Sequence, residues 1–171
     1  MTYRTRTYIA ADWDHDKNAV NKLYEWNKSE YWGLSFGDAH ELSQCRNDET
    51  NNCNIKKNCS QNLDYSKCLV LIIGEHTKSL RAGYCMYCKR YENCREIYKT
   101  NKSFVEFECD YALRHNLPII VLYNSTYVDK SKCIDSVKSV ALCHVPMMKR
   151  DENGRLVWNY QGIKQAFDRL R

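Results

Sequence analysis

A glutamate flanked by phenylalanines, three aspartates at alternate positions and a cluster of cysteines are the groups in this chain that could do chemistry. Glu108 lies in SFVEFECDYALRHN (Ser103–Asn116), with Phe104 one helical turn before it and Phe107 beside it. A carboxylate among aromatic rings is stripped of water, which favours its neutral form unless a partner holds the charge. Placed in a cleft, such a group can move a proton or face a developing cation. The plain alternative is a solvated helix-surface glutamate, the commoner situation for charged side chains. Asp12, Asp14 and Asp16 (DWDHD) supply oxygen ligands for a divalent cation, or else a solvated turn in which one Asp caps the following helix. Cys85, Cys88 and Cys94 (CMYCKRYENC) contain a CxxC half-site for tetrahedral zinc, its fourth ligand to come from Cys45, Cys53, Cys59 or His76. With no second CxxC and no HxxxH, zinc stays the weaker candidate, and no resident metal is expected.

Other chemistries lack their signatures. GxGxxG and GxxxxGK phosphate loops are absent, as are Ser or Cys nucleophile motifs with a matching His. The CxxC does not directly follow a first strand, which argues against thioredoxin-type exchange. A phosphorylation receiver would need an Asp ending its third strand and a Lys after the fifth; Gly74-Glu75-His76 and His144-Val145-Pro146 stand there instead. If the chain is an enzyme, a carboxylate is its catalytic group.

The elements that must position these groups are readable in outline. Ser103 and Glu106 form a capping box, Val105, Cys109, Ala112 and Leu113 recur at helical spacing, and Asn116 with Pro118 stops the helix. Arg6–Ala11 reads as a first strand and Tyr31–Phe36 as a second, with a helix between them through Val20, Leu23, Tyr24 and Asn27. Cys68–Ile73 and Pro118–Tyr123 are uninterrupted apolar runs, the kind buried on both faces of a parallel sheet. Val140–Val145 is a fifth strand, and Ile163, Ala166, Phe167 and Leu170 mark a last helix from about Tyr160. Residues 43–62 read as a polar loop with a ragged helix near Ile55, Cys59 and Leu63, and 81–102 as a Tyr- and Cys-rich insertion. Strands alternating with helices predict an α/β, flavodoxin-like three-layer domain over residues 1–171, with about five mainly parallel strands in the order 2-1-3-4-5. In that architecture the loops after the strands, with Glu108, converge on one edge of the sheet.

The whole chain sets limits on partners and compartment. A net charge of +5 spread over 171 residues forms no basic block with interleaved aromatics, so nucleic acid is not expected as a partner. The longest apolar run, around Leu69–Ile73, is far short of a membrane span, and the N-terminal stretch lacks an apolar signal core. The expected location is therefore the cytoplasm, where the ten cysteines are free thiols, ligands or redox groups rather than disulfides. Cys68, Cys109 and Cys143, in apolar elements, read as small core residues.

RTYIAADWDHD, WGLSFGDAHE, CLVLIIGEHTKS and FVEFECDYALRHNLPIIVL, in that order, resemble the TIR-like proteins of bacterial Thoeris anti-phage systems, the ThsB group. The resemblance spans most of residues 4–123. It places the family's catalytic glutamate at Glu108 and puts Asp12, Phe36, Asp38 and Thr77 on recurrent positions, with Trp13, Phe36 and Phe104 as stacking faces for a nucleotide. Ala10-Ala11 replaces a Ser-Tyr pair and Phe104 a Trp, departures that bear on the shape of a nucleotide site and leave the carboxylate in place. What the resemblance implies is cleavage of NAD at the nicotinamide–ribose bond and formation of a cyclic ADP-ribose isomer, a second messenger for a partner effector, ThsA. A phage-derived trigger and self-association would be its further partners, and NAD is the substrate with no other cofactor. The alternatives are a plain NAD hydrolase using the same glutamate and a non-catalytic TIR-type interaction or sensor module.

Overall fold

The computed structural model describes residues 6–29, 52–81 and 102–170. Among the described residues four strands form a parallel sheet in the order β1 (Arg6–Ala10), β2 (Ser66–Ile73), β3 (Ile119–Tyr123), β4 (Cys143–Pro146). This is the expected flavodoxin-like α/β architecture. The strand read at Tyr31–Phe36 lies outside the described residues, as do most of the two insertions. The register runs Ala10↔Leu71, Ile73↔Tyr123 and Tyr123↔Pro146, so β2 continues two residues beyond its last partner on β1.

The two central strands are apolar from Cys68 to Ile73 and from Ile119 to Tyr123 because helices cover both of their faces. Alternate residues go to opposite sides. Tyr8, Ala10, Leu69, Leu71, Ile73 and Val121 pack on one face, and Ile9, Val70, Ile72, Ile120 and Leu122 on the other. The first face is covered by α2 (Asn52–Asp64) and α3 (Phe104–Arg114), the second by α1 (Lys17–Lys28) and α4 (Tyr160–Asp168). Trp26 of α1 is buried edge-on to Trp158 and Tyr160, an aromatic cluster that ties α1 to the C-terminal part of the chain.

Three expectations need correction. Residues 52–64, read mostly as loop, are a helix of 13 residues. Its buried stripe is Lys56, Cys59, Ser60 and Leu63, too polar to stand out as a periodic signal, yet it packs against α3. The last strand of the parallel sheet starts at Cys143 rather than Val140, because the amides of Val140 and Ala141 are turned back onto the Val137 carbonyl. A short antiparallel hairpin, β5 (Met148–Arg150) with β6 (Leu156–Trp158), follows it and carried no strand signal of useful length. Its turn uses Gly154 at φ 74°, and Asp151 accepts the amides of Asn153 and Arg155.

Candidate functional site

Helix α3 is started as its sequence demands. The Ser103 hydroxyl accepts the Glu106 amide at 3.0 Å, and the Glu106 carboxylate accepts the Ser103 amide at 2.9 Å. Its far end closes at Asn116, which adopts the left-handed conformation (φ 54°), with the Leu117 amide donating back to the Ala112 carbonyl. This local chemistry sets the helix phase. Val105, Cys109 and Ala112 face the sheet, and Glu108 lies on the same side, toward β1.

Glu108 is 6% exposed, so the solvated-surface alternative does not hold. Its Oε1 accepts a hydrogen bond from the Tyr8 phenol at 2.7 Å. Beside it lies a cavity of about 210 Å³. Its walls are Tyr8, Ile9, Ala11, Asp12, Trp13 and Asp14 from β1 and the following turn, Ile55 of α2, Leu80 and Arg81 after β2, and Ser103, Phe104, Val105 and Glu108 at the start of α3. Five residues singled out from the sequence (Glu108, Asp12, Trp13, Asp14 and Phe104) therefore meet in one cavity. The convergence follows from parallel topology: β1 and β2 deliver their following loops to the same edge.

Asp12 is 4% exposed and already engaged. Its Oδ1 accepts the Asp14 amide at 3.1 Å and its Oδ2 lies 2.7 Å from Nδ1 of His15, whose ring packs on His76 with centroids 4.4 Å apart. Asp16 occupies the N-cap position of α1 without capping it. Instead its Oδ1 accepts the Asn124 side-chain amide at 2.8 Å, while Oδ2 is buried with no hydrogen-bond partner among the described residues. Burial raises the Asp16 carboxyl above its usual range, with Asn124 pulling the other way. Room for this carboxylate comes from Gly74: a Cβ there would stand 2.1 Å from Asp16 Oδ1.

Thr77 is fully buried and accepts the Gly74 amide at 2.8 Å, so it shapes the turn after β2 and does not line the cavity. Phe36, Asp38 and the cysteines Cys85, Cys88 and Cys94 lie outside the described residues. Among the described residues no group of three His, Cys, Asp or Glu side chains could hold a metal ion. Burial pushes the thiols of Cys68 and Cys109 up, which makes poor nucleophiles of both.

Sequence reasoning missed Tyr8, Arg81 and Ile55 as wall residues. Alternation along β1 could have placed Tyr8 on the same face as Ala10, but nothing in the sequence pairs it with a carboxylate one hundred residues later. Chemically, the cavity offers an ionisable group backed by a phenol, two flat aromatic faces and a cation at its wall. That set suits a planar, charged organic ligand in which positive charge develops near Glu108.

Residues 8–82 match the family described as Thoeris protein ThsB, TIR-like domain. The matched stretch contains β1, Asp12, Trp13 and the turn after β2, and it ends before α3. No curated protein matches the chain. Among the described residues no helix is long and apolar enough to cross a membrane.

Proposed function

From the match of residues 8–82 to the TIR-like family of Thoeris protein ThsB, we propose that this chain cleaves NAD at the nicotinamide–ribose bond and closes the remainder into a cyclic ADP-ribose isomer. That product would be the messenger for a partner effector of the same defence system. The observation that carries this reading is Glu108, a nearly buried carboxylate held by a phenol in a cavity with Trp13 and Phe104.

The chemistry asks little of the protein beyond placement and charge. The C–N bond to ribose breaks, and nicotinamide departs as a neutral molecule with the bonding electron pair. The ribose carbon is left as an oxocarbenium ion. A fixed anion beside it stabilises the transition state more than the ground state, because the positive charge on the sugar grows as the bond opens. Trp13 and Phe104 give flat faces to the nicotinamide and adenine rings. A nucleophile on the same molecule then forms the new bond to the ribose carbon, and a proton passes to solvent. If water does so instead, it loses a proton and linear ADP-ribose results, so exclusion of water selects the cyclic product.

The test is incubation with NAD, alone and in lysate of infected cells, followed by chromatography of the products for wild type and Glu108→Gln. Cyclic product that disappears in the variant supports the proposal. Linear ADP-ribose makes the protein a hydrolase. NAD left intact by both proteins in both settings points to a non-catalytic interaction module.

A further inference from the structure

We propose that Tyr8 is a positioning residue for Glu108, its phenol holding the carboxylate ionised and turned to the cavity. The inference rests on the reading of Glu108 as the anion that faces the ribose, and it names a second residue on which that anion depends.

The geometry is specific. Tyr8 Oη donates to Glu108 Oε1 at 2.7 Å, with Tyr8 4% exposed and Glu108 6% exposed. Tyr8 stands on the α3 face of β1, where its neighbours are Ala10, Leu69, Leu71 and Val105. Phenylalanine would fill that apolar site equally well. The hydroxyl is thus unexplained by packing, and its hydrogen bond to Glu108 gives it a purpose.

The electrostatics give the bond a task. Asp12, which is paired with His15, and Asp14 line the same cavity, and like charges near a buried carboxylate work against its ionised form. Arg81 at the wall, and Lys56 of α2 with its Nζ 5.8 Å from the Phe107 ring centre, act in the opposite sense. On α3 itself, Glu106 is engaged by the Ser103 amide and Asp110 is paired with Lys102. Within this mixed field the phenol is a directed donor, and a hydrogen bond to the charged form favours that form. A protonated Glu108 could not offset the charge on an oxocarbenium ion. The phenol keeps its proton throughout, and in the proposed role Tyr8 acts through Glu108.

The test separates this inference from the reading beneath it. Glutamate labelled with carbon-13 at the carboxyl is introduced into wild type and Tyr8→Phe, with the Glu108 signal assigned by its loss in Glu108→Gln. The titration midpoint of that signal should move to higher pH in Tyr8→Phe; a midpoint that stays or falls overturns the inference, whatever the enzyme does with NAD. In the turnover arm, kcat for Tyr8→Phe should drop roughly tenfold, as for loss of one hydrogen bond to a charged group. KM should change far less, and the acid limb of the pH profile should shift upward. An equal loss at every pH would mark a merely structural residue and overturn the inference. Equal turnover by wild type and Glu108→Gln ends the NAD reading instead, and the carboxyl titration still decides for or against Tyr8. Should Tyr8→Phe fail to fold, 3-fluorotyrosine at position 8 keeps the shape with a stronger donor. The midpoint should then fall, and an unmoved one overturns the inference.

Discussion

The two faces of the sheet are built from the same strands and serve opposite ends. On the face under α1 and α4 the buried helix residues are Ala19, Val20, Leu23, Trp26, Ile163, Ala166 and Phe167, all apolar. On the face under α2 and α3 the helices bury Lys56, Ser60 and Glu108 among apolar neighbours, and the strand supplies a tyrosine hydroxyl. Burying charge costs stability unless it is paired. Among the described residues, the helices do so on one face of the sheet and not on the other, so their buried charges gather on the α2–α3 side. The apolar face supports that arrangement, because it stabilises the sheet from which the cavity walls extend.

Substitutions on the two faces should therefore diverge. Leu23→Ala, on the dry face and fully buried, should lose about 2–5 kcal/mol in denaturant unfolding. Glu108→Gln keeps the size of the side chain and an acceptor for Tyr8, so its unfolding free energy should stay within about 1 kcal/mol of wild type. A large loss for Glu108→Gln would break the contrast by making the acid a structural member of the fold.

Next in size is Gly74→Ala. The added methyl would collide with the Asp16 carboxylate and push it off Asn124, an expected loss of roughly 1–3 kcal/mol with a lowered melting temperature. Ser103→Ala removes one half of the capping box and should cost about 1 kcal/mol. Because the helix start also sets where Glu108 stands, turnover should fall with it, which a comparison of activity against thermal stability will show.

The smallest effect concerns Asp16 and has a sign. Its carboxyl titrates above the usual value of 3.8 in the folded chain because burial penalises the charge. The native state thus holds the proton more tightly than the unfolded one, and stability falls as pH rises from 3.8 through the raised value. Asp16→Asn should melt higher than wild type at neutral pH, with the gap closing on acidification. A gap that widens with acid would reverse the assignment.

How much of this was legible depended on how local the cause was. The start and stop of α3 could be read because Ser103, Glu106 and Asn116 act within a few residues of one another. The central strands could be read because burial on both faces leaves an unbroken apolar run. Helix α2 could be read only as a ragged helix near Ile55, Cys59 and Leu63, since Lys56 and Ser60 occupy its buried stripe and blur the period. Asp12, Trp13, Phe104 and Glu108 were expected together because parallel strands carry their following loops to one edge. The Tyr8–Glu108 bond was out of reach, joining residues whose proximity exists only after two strands and a helix have packed.

That separation along the chain has a bearing on the protein's synthesis. Tyr8 leaves the ribosome long before Glu108, and α3 can dock on β1 only once both segments are available. A nascent chain, or one truncated ahead of α3, carries the phenol without its carboxylate and has no assembled cavity. Any activity of this cavity thus waits on completion of the chain through α3.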